Sequence, residues 1–252
     1  MIPASDRGLL LGDGLFETLL WRDGELVDFE AHAERMAQGC ALLGLPAPDR
    51  DALTLAAARV LDEAGLTSGR GGVRLNWTAG SGGRGLERPD PVEPRLFALA
   101  FAAPEPAPTV SLATVAVRRN ETSALSRVKS LAYLDNVLAR REACAAGADE
   151  ALMLNTKGEI ACAAAANIFW FEGDRLVTPA LDCGVLAGTV RARVLAKAVV
   201  AGIEAVEARS PVRALARAKG LFLTNSLTGV QRVSSLDGRA IEPHPLLDKL
   251  AI

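Results

Sequence analysis

Three prolines in five residues, Pro104-Glu105-Pro106-Ala107-Pro108, interrupt the chain where neither a helix nor a central strand can continue. Proline has no backbone N–H and holds φ fixed, so the stretch reads as a linker. It divides the 252 residues into a smaller N-terminal α/β domain, 1–104, and a larger C-terminal domain, 110–252, joined by a Pro-rich linker at 105–109. Half of the residues are apolar, which suffices for two modest cores.

Before the linker, Leu15 to Trp21 reads as a strand, Arg22-Asp23-Gly24 as a tight turn and Glu25 to Val27 as the returning strand. Asp28 is placed to cap a helix running to about Leu43, with Met36, Cys40 and Leu43 on one stripe and Gly44 ending it. A second helix covers about 51–64, and strands are predicted at 73–78 and 95–102 around a glycine-rich loop. After the linker, the pattern predicts strands at 110–117, 150–154, 159–163, 167–171, 175–178 and 220–224. Helices are predicted to end near Gly147 and to run from Thr189 to Gly202. The expected class is α+β, mixed sheets with flanking helices.

Composition excludes several roles. A net charge of -2 leaves no basic footprint for nucleic acid. Cys40, Cys144, Cys162 and Cys183 lack metal-ligand spacing, and His32 and His244 lie far apart, so no metal site is expected. No stretch is long enough to span a bilayer, and the start has no cationic-then-apolar leader. Reduced thiols and a cytoplasmic location are expected.

Lys129 follows a strand-like run and a short polar loop, and precedes a helix with apolar Leu131, Leu134 and Leu138. Apolar neighbours lower a lysine pKa, and the neutral amine is a nucleophile able to join a carbonyl. The residue pattern alone favours a solvated helix-start lysine.

The run Arg127-Val128-Lys129-Ser130-Leu131-Ala132-Tyr133-Leu134-Asp135-Asn136-Val137-Leu138-Ala139 resembles the cofactor-lysine motif of the fold-type IV pyridoxal-phosphate enzymes. That group contains branched-chain aminotransferases, D-amino-acid aminotransferases and 4-amino-4-deoxychorismate lyases. The resemblance reaches from Ser5-Asp6-Arg7-Gly8 and Gly12-Asp13-Gly14-Leu15-Phe16-Glu17-Thr18 to Leu236-Asp237-Gly238-Arg239. It implies the two-domain fold-type IV architecture, pyridoxal 5'-phosphate as cofactor, a small-molecule amino substrate and a homodimer. Relatives usually carry one more short strand before Ser5, so the expectation is a naturally trimmed N-terminus or an alternative start.

The same resemblance assigns the site. Lys129 is the catalytic residue and the covalent cofactor ligand. Gly188-Thr189-Val190-Arg191 is similar to the family's Gly-Ile-Thr-Arg, which implies phosphate contacts from Gly188, Thr189 and Val190. Ser226 and the following amide, Leu227, match a second phosphate-gripping loop, and His32-Ala33-Glu34-Arg35 resembles the family's His-x-x-Arg, with Arg35 the charged contact.

One position departs from the pattern. The family's pyridine-contacting glutamate lies five residues before the asparagine of its Asn-[Leu/Ile]-Phe; counting back from Asn167-Ile168-Phe169 gives Cys162. Glu159 is the nearest acid, but strand parity predicts that it points to the other face. A carboxylate keeps the ring nitrogen protonated, and a neutral thiol does not. Cys162 also reads as a small buried residue.

Thr78-Ala79-Gly80-Ser81-Gly82-Gly83-Arg84-Gly85-Leu86 resembles the glycine-rich loop of aminodeoxychorismate lyases, with Ala79 and Leu86 in place of Arg and Tyr. Arg84 and Tyr133, the chain's one tyrosine, are the candidate substrate contacts. The expectation is a lyase releasing 4-aminobenzoate and pyruvate. Two alternatives stand: a class IV aminotransferase for a small or branched amino acid, and a non-catalytic relative that binds the cofactor or a metabolite.

Overall fold

A computed structural model describes residues 2–251, in two compact units. The first comprises the chain up to Glu105 together with Val128–Ala132; the second comprises Pro106–Arg127 and the chain from Tyr133 onward.

The first unit runs α1 (Arg7–Leu11), β1 (Gly14–Arg22), β2 (Glu25–Leu26), α2 (Phe29–Leu43), α3 (Arg50–Glu63), β3 (Arg70–Thr78) and β4 (Arg95–Ala102). Its strands form an antiparallel sheet in the order β2-β1-β3-β4. Alternation along the strands turns Leu15, Leu19, Trp21, Val73 and Leu75 to one face, where they pack with Met36 and Cys40 of α2 and Leu53, Ala57 and Val60 of α3. Asp28 precedes α2 from a left-handed conformation, φ 57°, and makes no side-chain cap bond.

Sequence reading puts Lys129 in the C-terminal domain; the backbone puts its segment in the first unit. Phe16 N donates to Lys129 O at 2.9 Å, Leu131 N donates to Gly14 O at 3.0 Å, and Ser130 bridges Leu15 antiparallel. The segment is a short extra strand on β1.

The second unit contains β5 (Thr109–Arg119), α4 (Leu134–Ala145), β6 (Glu150–Asn155), β7 (Ile160–Ala163), β8 (Asn167–Glu172), β9 (Arg175–Pro179), α5 (Thr189–Val200), β10 (Ala205–Ala208), β11 (Lys219–Asn225), β12 (Gly229–Leu236) and β13 (Arg239–Ala240). They build a mixed nine-stranded sheet, β10-β9-β8-β11-β12-β5-β6-β7, with β13 on β12. Its interior includes Leu152, Ile168, Trp170 and Leu223 in one cluster and Phe169, Phe171, Val194 and Phe222 in another.

Several sequence expectations change here. α1, β10, β12 and β13 were not expected, and β12 lies between β11 and β5. The stripe Leu134 and Leu138 is exposed, and α4 buries Asn136, Ala139 and Ala143 instead. Small side chains let α4 approach the sheet closely, and the Asn136 side chain donates to Ala164 O at 2.7 Å. Among the described residues, all four cysteines are free thiols, no cluster could hold a metal ion, and no helix is long and apolar enough to cross a membrane.

Candidate active site

The Lys129 amine lies 4.4 Å from the centroid of the Phe16 ring. Arg74 stacks on the same ring at 3.6 Å. Loss of water around the Lys129 amine is the largest influence on it and pulls its pKa down to about 8; Glu17 opposes that shift, while Arg35 and Arg74 add to it. The proton is therefore far easier to remove than from an ordinary lysine.

Glu17 shares the strand parity of Leu15 and Leu19, so its carboxylate points into the core, where it is 2% exposed. A buried charge needs partners, and α2 supplies two. Arg35 Nε donates to Oε1 at 2.7 Å and Nη2 to Oε2 at 2.6 Å, a bidentate fork. His32 Nδ1 lies 2.7 Å from Oε2 and donates there. Burial alone would raise the Glu17 pKa; the Arg35 charge and the hydrogen bonds from His32 and Arg35 outweigh it and hold the group at about 2. Arg35 is thus an oriented side chain rather than a solvated one. Glu17 is the residue that sequence reading quoted without giving it a role.

The second unit holds the other cofactor candidates. Gly188 precedes α5, and a Cβ there would lie 2.1 Å from Asn167 Oδ1, so any side chain at this position forces Asn167 to shift. Asn167 is fixed by its donation to Leu186 O at 2.9 Å. Thr189 and Val190 form the first turn of α5 and are buried. In the β11–β12 turn, Leu227 N donates to Asn225 Oδ1 at 2.9 Å, as does Thr228 N at 2.8 Å. The Leu227 amide that the sequence reserved for a phosphate is therefore engaged within the turn. Two hydroxyls flanking Ser226 and Leu227, Thr224 Oγ1 and Thr228 Oγ1, are buried with no hydrogen-bond partner. Buried hydroxyls are normally satisfied, so each of these two lacks the partner such a group usually has.

Cys162 is buried opposite Met153 in the β6–β7 pair. Desolvation raises its thiol pKa, with Arg119 lowering it and Glu150 raising it further, so the thiol is neutral. Glu159 is unavailable, though not through simple parity, because the register shifts between Met153 and Leu154. Its carboxylate accepts from Asn155 Nδ2 at 2.6 Å at the hairpin end. Of the substrate candidates, Arg84 is exposed on its loop in the first unit, and Tyr133 is half-buried at the start of α4 in the second.

The first unit thus holds a lysine poised to lose its proton, and the second holds a glycine-started helix and two orphaned hydroxyls. A candidate 4-amino-4-deoxychorismate lyase from Legionella pneumophila shares this fold with a TM-score of 0.92 and 31% identity, covering 99% of this chain and 92% of that one. Similarity extends to a candidate branched-chain-amino-acid aminotransferase from Methanocaldococcus jannaschii, 32% identical over 95% of this chain and 84% of the relative. An aminodeoxychorismate lyase from Vibrio harveyi is 28% identical over 93% of this chain and 87% of its own length. These are fold-type IV relatives. The chain belongs to the amino-transferase class IV family, whose model matches residues 14–236. That family consists of pyridoxal-phosphate-dependent aminotransferases and lyases, and this chain is an enzyme of that kind.

Proposed function

We propose that the enzyme is a pyridoxal-phosphate-dependent lyase acting like 4-amino-4-deoxychorismate lyase, giving 4-aminobenzoate and pyruvate. Lys129 carries this reading, because an amine with a pKa of about 8 can be neutral in water near physiological pH and still exchange protons. The residues present fit the cofactor. Lys129 would bond its carbonyl carbon. In the first unit, Arg35 would hold its phosphate; in the second, backbone at Gly188, Thr189 and Val190 and the Ser226–Leu227 turn, flanked by the orphaned Thr224 and Thr228 hydroxyls, are the candidates for phosphate contacts. Bound there, the cofactor supplies an electron sink, and the protein supplies position and charge.

Lys129 would take the proton from the substrate Cα; the C–O bond to the enolpyruvyl group breaks, and that proton is delivered to the enolpyruvyl methylene, which leaves as pyruvate. Glu17 holds Arg35 in one orientation. Cys162, neutral and buried, favours elimination over transamination, because elimination does not require charge to be stored on a protonated ring. Similarity to the Methanocaldococcus jannaschii relative favours an aminotransferase of the same fold as the second reading. Incubation with aminodeoxychorismate, beside a panel of L- and D-amino acids with 2-oxoglutarate or pyruvate, separates them. Pyruvate and 4-aminobenzoate formed without an amino acceptor support the lyase; amino transfer alone sinks it. The reading includes a cytoplasmic homodimer, which light scattering of active enzyme tests.

Arg35→Ala is expected to weaken cofactor binding by about 1.5–3 kcal/mol, the range for hydrogen bonds to charged groups. An unchanged dissociation constant would remove Arg35 from the phosphate. Cys162→Glu is expected to speed the half-reaction of transamination relative to elimination, while Cys162→Ser changes both little. Single-turnover spectra with an amino donor alone follow that ratio. A folded, cofactor-loaded Cys162→Glu with an unchanged ratio would mean that the thiol is only packed.

A further inference from the structure

The loop from Gly80 to Arg88, the glycine-rich loop of the sequence, has four glycines with positive φ. The structure winds it around one buried guanidinium. Arg7 lies on α1 with its side chain 5% exposed. Its Nη1 donates to Glu87 O at 2.9 Å, Gly85 O at 3.3 Å and Gly82 O at 3.4 Å, and its Nη2 donates to Leu86 O at 3.0 Å. Its backbone N–H donates to Gly80 O at 2.8 Å, fixing the start of the loop.

The far end is tied to the same hub. Asp13 accepts Arg7 Nε at 2.9 Å and Arg88 Nε and Nη2 at 3.0 and 2.6 Å. Burial works against the Asp13 carboxylate, but the Arg88 and Arg7 hydrogen bonds prevail and hold its pKa below the usual range. Gly83 closes the wrap: with φ of +80°, a Cβ there would stand 2.0 Å from Glu87 O and 3.2 Å from Arg7 Nη1. With the carbonyls of Gly82, Gly85, Leu86 and Glu87 turned to Arg7, Arg84 and Leu86 are exposed, Leu86 at 85%.

We propose that Arg7 is a positioning residue that pre-forms this loop, so that Arg84 is presented to a carboxylate of the amino substrate. The proposal rests on the reading of the substrate as a carboxylate-bearing amino compound. A fixed loop offers its cation without first losing conformational freedom, which favours binding. Lysine at position 7 keeps the charge but, as a compact point donor, cannot serve four carbonyls at once.

The holoenzyme tests this in two ways, limited trypsin digestion and calorimetric binding of pyruvate. In Arg7→Lys, cleavage after Arg84 is expected to rise about tenfold or more, without a matching rise after the exposed Arg59 and Arg175. Pyruvate is expected to bind about fivefold more weakly or worse, while the absorbance of the bound cofactor stays as in the parent. Gly83→Ala forces the loop off the guanidinium with Arg7 intact and is expected to reproduce both changes, which covers an Arg7→Lys that fails to fold. Unaltered cleavage after Arg84 in both variants would overturn the clamp. Faster cleavage with unaltered pyruvate binding would overturn the presentation of Arg84. A failure of the lyase reading shows separately, as absence of product from aminodeoxychorismate in the parent enzyme.

Discussion

Lys129→Ala is expected to abolish turnover, with a loss of at least about a thousandfold, because it removes both the nucleophile and the proton carrier. It should also remove the yellow absorbance and the cofactor linkage that borohydride traps in the parent protein. A variant that retained a trappable linkage would show that another amine does this work. The parent protein carries a pH signature of the same residue. With a pKa of about 8, roughly one amine in ten is neutral at pH 7, against about one in three thousand at the ordinary lysine value. Trapping of apo-protein with cofactor and borohydride should therefore rise with a midpoint near pH 8. A midpoint near 10 would mean that the amine is not desolvated.

The same shift bears on stability, and its sign is fixed. The folded-state pKa lies below the unfolded one, so the unfolded chain binds more protons between about pH 8 and 10.5. Keeping Lys129 protonated costs the native state fully below about pH 8, and the cost fades as pH rises toward 10.5. Lys129→Met should accordingly melt higher than the parent at pH 6.5, with the gap closing in alkaline buffer. The reactive amine is held at the expense of stability, as expected where function opposes packing.

What the sequence made legible was mostly local. The turn at Arg22-Asp23-Gly24, the stripe of Met36 and Cys40 and the glycine ending α2 are each set by nearby residues, and the structure has them. β12 escaped because only Val233 and Leu236 along it are buried, which leaves no clean alternation to read. In α4 the large apolar residues are outside, with Leu134 68% exposed, since helix–sheet approach selected alanines for the inner face. The lysine segment joins β1 through backbone bonds and the contact of the Lys129 amine with the Phe16 ring, and no side-chain pattern announces a pairing between residues so far apart. Glu17 was readable: an acid at the inward parity of Leu15, Leu19 and Trp21 must find cations, and the helix after the hairpin brings His32 and Arg35. The order of the 80–88 loop was not readable, because the residue that imposes it lies before β1.

Glu17 is accordingly expected to give the largest effect outside Lys129. Glu17→Ala leaves Arg35 and His32 around an emptied site and should cost about 3–5 kcal/mol, the usual penalty for removing one partner of a buried ion pair. Because its folded pKa of about 2 lies below the ordinary 4.5, the stability it contributes is present above pH 4.5 and is lost as pH falls toward 2. Acid unfolding curves of parent and Glu17→Gln should therefore converge in that window and separate above it. Glu17→Gln keeps an oxygen acceptor for Arg35 yet removes the charge that raises the Lys129 pKa. The trapping midpoint should then drop below 8, making the amine more available at neutral pH. If stability falls while that midpoint stays put, the Glu17 charge does not reach Lys129, and the carboxylate serves only to anchor α2 to β1.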